Sequence, residues 1–331
     1  MKKITIVLLS ALSLSLTTYA QDAQQIAAQA AAAMAATPDQ TNTVKPSYWK
    51  NSIDFTLGFN QTSLTNWAAG GYNTINLSAN IDAKANYAKG LMSWGNRMQL
   101  DYGFLWSADK SNLLQKSNDR IYLESKWGYK TGQNSKWSYS ASFDFRSQFS
   151  NSFDNYQKDE TGKWSGDLKS GFISPAYTNI ALGMSWKPKD WFDVSISPLT
   201  GGFTICTIDE LRKNYGMPPA NEDGSYKSSK FQFGAQIKIN FKLAINEVFV
   251  YETQIVAFTD YLDNPFKENR INWDNKVTWK MAKYFKIGLD TWLIYDPNIT
   301  INDKNGIPCT SLTQFKESLG ISFIYTIASK K

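Results

Sequence analysis

Apolar and polar residues alternate at period two along about a dozen stretches of the chain, the signature of half-buried strands. Ile53, Phe55, Leu57 and Phe59 alternate with Asp54, Thr56, Gly58 and Asn60. Trp137, Tyr139, Ala141, Phe143 and Phe145 alternate with Ser138, Ser140, Ser142, Asp144 and Arg146. In an extended strand each set falls on one face, so one face suits hydrocarbon and the other carries charge. The stretches cover 49–60, 73–88, 91–106, 119–130, 136–149, 176–187, 191–198, 230–243, 247–260, 270–281, 284–296 and 313–327. Their lengths suit tilted strands crossing a bilayer. The seventh is short and ends at Pro198.

The gaps between these stretches alternate short and long. Lys89-Gly90, Thr131 to Asn134, Pro188 to Asp190, Ala244 to Asn246 and Ala282-Lys283 are short. Gln61 to Gly71, Ser107 to Asn118, Ser150 to Ser174, Thr200 to Ser229, Tyr261 to Asn269 and Pro297 to Leu312 are long. Transmembrane outer-membrane β-barrels have short periplasmic turns and long extracellular loops. The pattern therefore predicts an all-β, antiparallel β-barrel of about twelve strands over residues 48–331, with both ends on the periplasmic side. Tyr87, Trp94, Tyr129, Trp137, Trp186, Trp191, Trp279 and Tyr284 stand beside the short turns, where an aromatic girdle at the membrane interface is expected.

The first residues change the picture of where the chain goes. Lys2 and Lys3, the apolar run Ile4 to Leu16 and the small-residue site Thr18-Tyr19-Ala20 read as a signal peptide over 1–20. Residues 21–47 are rich in Ala and Gln and read as a periplasmic extension, helical in part or disordered. Mean hydropathy is −0.39 and the aromatic content 15%. A barrel reconciles the two, because half of every strand is polar. The net charge of +6 is scattered, with no basic cluster of the kind a nucleic-acid groove requires.

Histidine is absent, which removes Ser–His and Cys–His nucleophilic sites and His-ligated metals. Asp39 to Asn42 and Asp296 to Asp303 do not follow calcium-loop spacing. No cofactor, metal or catalytic motif is expected. Cys206 and Cys309 fall in long loops on one side of the membrane; a disulfide between them and two free thiols are both open, since spacing alone does not set their separation.

The segment Asn60-Gln61-Thr62-Ser63-Leu64-Thr65-Asn66-Trp67-Ala68-Ala69-Gly70-Gly71 resembles the opening signature of an uncharacterised Gram-negative outer-membrane family catalogued as domain of unknown function 3078. The resemblance implies a β-barrel in the outer membrane and no particular activity. One departure from barrel practice is the ending Ala328-Ser329-Lys330-Lys331 after Tyr325, where many such proteins close on an aromatic residue.

The polar faces carry both signs of charge, and the lumen candidates are Arg97, Asp101, Glu124, Lys126, Asp144 and Arg146. Asn66, Trp67, Gly70 and Gly71 form a candidate constriction, since paired glycines permit a sharp inward reversal. Such charges either line a water-filled passage or pair into a network that fills it; an unpaired buried charge is costly, so much of the set is expected to pair. The leading function is a channel or transporter for small solutes, embedded in outer-membrane lipid. The alternatives are a closed structural or surface-interaction barrel, and a soluble exported β-sandwich that binds a ligand. Fold alone does not separate the first two.

Overall fold

The computed structural model describes residues 47–62, 73–110, 113–220, 224–263, 265–266, 269–302, 307–310 and 312–328. The expected signal peptide and all but the last residue of the Ala/Gln-rich extension lie outside the described residues, as do Asn66, Trp67, Gly70 and Gly71. The strands in chain order are β1 (Trp49–Thr62), β2 (Thr74–Lys89), β3 (Met92–Ser107), β4 (Leu114–Lys130), β5 (Trp137–Ser147), β6 (Ser152–Lys158), β7 (Trp164–Ser170) and β8 (Ala176–Lys189). They continue with β9 (Phe192–Ile205), β10 (Ser229–Ala244), β11 (Phe249–Asp260), β12 (Arg270–Ala282), β13 (Phe285–Tyr295), β14 (Ile301–Asn302), β15 (Pro308–Cys309) and β16 (Gln314–Ala328).

Twelve of these form one closed barrel in the order β1-β16-β13-β12-β11-β10-β9-β8-β5-β4-β3-β2. Every neighbouring pair is antiparallel, and β1 closes the ring against β16 with Phe55 opposite Tyr325 and Leu57 opposite Phe323. Closure leaves no free sheet edge and satisfies the backbone within the ring, which is what allows strands to cross hydrocarbon. The two-residue turn between Lys89 and Met92 turns on Gly90 at φ +58°, a conformation that glycine adopts without a Cβ clash.

The barrel is apolar outside and polar inside. Leu57, Leu77, Phe143, Ile180, Ile237 and Leu319 are exposed on its outer surface, whereas Asp82, Ser195, Ser197, Gln232, Gln236, Lys238 and Lys286 are buried toward the lumen. An apolar surface this continuous is far larger than a soluble monomer exposes; a soluble sandwich has the opposite arrangement. Aromatic pairs ring the turn end: Trp49 with Tyr87 and Trp94, Trp127 with Tyr129, Trp137 with Trp186, Trp191 with Phe241, Phe249 with Trp279, and Tyr284 with Phe323 and Tyr325. Amphipathic rings collect at such a level because one edge meets hydrocarbon and the other water.

Three expectations need correction. The seventh barrel strand does not stop at Pro198: β9 runs on to Ile205. Proline has no N–H for the ladder, and the sheet absorbs it in a bulge, where Pro198 and Leu199 together face only Ala235 of β10. The bulge inverts the phase, so Ser195 and Ser197 point inward before it and Thr200 and Thr204 after it. Gly183 on β8 permits the fit, since a Cβ there would lie 2.0 Å from the Ile196 carbonyl oxygen. Secondly, the stretch from Ser150 to Ser174 holds the hairpin β6–β7, which pairs only with itself. Thirdly, β4 begins at Leu114 rather than at Asp119.

Candidate functional site

Strand β4 enters at the loop end and descends to the turn end, so its inward positions form a ladder: Arg120, Tyr122, Glu124, Lys126. The lower rungs are tightly paired. Lys238 on β10 donates to Glu124 at 2.5 Å and to the Tyr122 hydroxyl at 3.3 Å. Lys126 donates to Asp193 of β9 at 2.7 Å and to Ser195 at 2.8 Å. Beside them Arg97 holds Asp82 in a two-pronged contact, Nε to Oδ1 at 2.9 Å and Nη2 to Oδ2 at 2.6 Å. Asp144 accepts from the Asn179 amide at 2.8 Å, and Asp101 accepts from Asn80. Lys126 joins β4 to β9 and Lys238 joins β10 to β4, pairs of strands that are not neighbours in the ring, so these bonds cross part of the lumen.

The upper rung is different. Arg120 faces Asp274 of β12 at 3.6 Å, and β12 lies opposite β4 with five strands between them on either side. Trp292 of β13 reaches in from the same far wall. The Arg120 guanidinium carbon sits 5.2 Å from the Tyr122 ring centroid and 5.6 Å from that of Trp292. Arg146 of β5 sits 5.6 Å and 5.5 Å from the same two centroids. Two cations thus share two rings, a cation–π arrangement worth roughly 0.5–2 kcal/mol per contact. Neither arginine donates a hydrogen bond to another described residue, Arg146 has no ion pair among them, and Arg120 Nε is buried without a partner.

The loop end is partly roofed. The segment after β9 carries a one-turn helix, Asp209–Arg212, and a small core of Cys206, Leu211 and Met217 packed on Leu168, Ile208, Tyr215 and Tyr226. Arg212 ties it together by donating to the carbonyls of Cys206, Thr207 and Tyr226 at 3.1–3.3 Å. The Tyr215 hydroxyl donates to the Lys169 carbonyl at 2.8 Å on one side, and the Asn214 carbonyl accepts from the Thr300 amide at 3.0 Å on the other. Both cysteines are free thiols, Cys206 buried and Cys309 half-buried.

Of the lumen residues the sequence singled out, Arg97, Asp101, Glu124, Lys126 and Asp144 belong to the paired network and Arg146 to the guanidinium pair. Sequence reasoning missed Arg120, Tyr122 and Trp292. The signal was present: Tyr122 and Trp292 are aromatics on polar-face positions, in register with Glu124 and Asp290.

Residues 59–153 match the family model of DUF3078, a protein of unknown function. The matched stretch contains Arg120, Arg146, Tyr122 and all of the lumen and constriction candidates. No curated protein matches the chain. Among solved structures it is similar to an outer membrane channel from Pseudomonas putida F1, at 6% identity and TM-score 0.37 over 88% of this chain and 99% of that one. The Pseudomonas putida toluene transporter TodX gives 8% identity and TM-score 0.32 over 86% and 90%. Outer membrane phospholipase A from Escherichia coli gives 11% and TM-score 0.31 over 87% and 94%. These similar structures are an outer membrane channel, a transporter and an outer membrane phospholipase, and the chain itself is a closed antiparallel barrel of twelve strands.

Proposed function

We propose that the chain is exported by the signal peptide over residues 1–20, inserts residues 48–331 into the Gram-negative outer membrane, and passes small solutes through a lumen constricted at the Arg120–Arg146 level. The observation that carries this reading is the unmet guanidinium pair. A barrel interior that only fills space is most stable when every buried donor has an acceptor. The rungs below meet that condition, and the rung at the constriction does not. Polar groups left without partners in a polar passage are groups a passing solute can use. The reading assigns the lumen to passage rather than catalysis, on the ground that the chain has no histidine and shows no acid–base motif.

A closed barrel that acts through its external loops is the second reading. It is supported by the cross-lumen Lys238–Glu124 and Arg120–Asp274 contacts and by the roofing segment after β9. Single-channel recording in a planar bilayer separates the two. Discrete conductance steps that grow in Asp274→Ala, where the opposed ion pair is lost, support the channel. A silent bilayer, from protein whose heat-modifiable migration shows it folded, supports the closed barrel.

A further inference from the structure

We propose that Arg120 and Arg146 form a binding site for the carboxylate of a small organic acid, its apolar body resting against Trp292 and Tyr122. The inference deepens the channel reading by naming the solute class, and it rests on that reading for its role in passage. Each guanidinium carbon lies over both rings, 5.2–5.6 Å from the ring centroids. A cation–π contact spends none of the guanidinium's N–H donors on a lone-pair acceptor, and those donors match a carboxylate two-pronged in the plane.

Asp101 faces Arg120 across the β3–β4 pair, yet the neighbouring acids leave most of the N–H donors of the two guanidiniums without an acceptor. Asp101 and Asp144 are engaged by Asn80 and Asn179, Glu124 by Lys238, and only Asp274 comes within 4 Å of Arg120, at 3.6 Å. Arg146 faces none of them in an ion pair among the described residues. Two guanidiniums share one pair of rings with a single carboxylate within 4 Å, so their N–H donors outnumber the acceptors in reach. The buried, partnerless Arg120 Nε is a donor awaiting an acceptor. A bare halide would satisfy the charge and leave the rings unused; a carboxylate on an aromatic or aliphatic body uses both.

The test is calorimetric titration of the detergent-folded full barrel with benzoate, with acetate and chloride as comparators. The proposal expects saturable benzoate binding, tighter than acetate and much tighter than chloride. Arg146→Gln should weaken it about tenfold or more, and Arg146→Lys should restore only part, because the ammonium keeps the charge and loses the fork. Trp292→Leu should weaken benzoate more than acetate. Arg146 holds no ion pair, so its variants leave no new unpaired charge and are expected to fold; if they do not, displacement of benzoate by acetate on the unmutated protein still reports the ranking. No saturable binding, chloride binding as tightly as benzoate, or binding unchanged in Arg146→Gln overturns the proposal. A silent bilayer with benzoate binding intact overturns the channel reading and leaves the site standing. Conductance without benzoate binding does the reverse.

Discussion

In the layer toward the turn end, Lys238, Lys126 and Arg97 each meet a carboxylate at 2.5–2.7 Å. One rung higher, Arg120 has a single carboxylate at 3.6 Å and Arg146 has none among the described residues. The same strand, β4, supplies both layers, so differences of backbone or depth on that wall do not explain the contrast. What differs is what the inward groups face: Asp193 of β9 and Lys238 of β10 below, and Asp274 of β12 at 3.6 Å with the Trp292 ring of β13 above. Charges in the lower layer neutralise one another and hold the walls together. Those in the upper layer are held by rings that leave their donors unspent.

The largest expected effect breaks the lower layer. Glu124→Gln leaves the buried Lys238 ammonium without its counter-charge, and removing one partner of a buried pair costs about 3–5 kcal/mol; the urea midpoint of the detergent-folded barrel should fall accordingly. Placing a charge outside the lumen altogether comes next. Phe143→Arg on the exposed outer face should cost about 2–4 kcal/mol in lipid, with Ser142→Arg on the inner face markedly milder, read from unfolding in vesicles. Equal costs would mean that the two faces have been assigned wrongly. Arg146→Gln should cost under about 1 kcal/mol, because the lost cation–π contacts are offset by relief of like charge beside Arg120. The smallest effect lies in the roofing segment. Burial pushes the Cys206 thiol up from its ordinary value, and less thiolate means slower alkylation. A maleimide at neutral pH should label Cys309 first, as mass spectrometry of the intact protein will show.

Much of the barrel was legible because period two reports directly which face a residue occupies. Strands β1 to β3 follow their alternation within a residue or two at each end. The places that escaped are those where the period breaks or the information is not local. At Pro198 the bulge inverts the phase of β9, so the continuing strand from Leu199 to Ile205 no longer agreed with the pattern before it. The β6–β7 hairpin alternates like a barrel strand, with Phe153 against Asp154, yet the turn from Asp159 to Lys163, with Gly162 at φ +84°, folds it back on itself as seven-residue strands, shorter than those of the barrel. For the site, alternation placed Arg146 in the lumen but said nothing of what lies across it. The ring of strands brings Trp292 to Arg120 and Arg146 from 146 or more positions away in sequence, and no local pattern encodes that meeting.

Whether one layer of the lumen holds the barrel and the next holds a solute is read from the urea midpoint measured with and without saturating benzoate. A ligand that binds only the folded state raises stability by mass action, about 2.7 kcal/mol at a hundredfold excess over its dissociation constant. The account predicts that benzoate raises the midpoint of the unmutated protein and of Glu124→Gln, the latter from a much lower start. Arg146→Gln should start near the unmutated midpoint and stay there when benzoate is added. An Arg146→Gln midpoint that begins as low as that of Glu124→Gln, or that still rises with benzoate, would contradict the division between the layers.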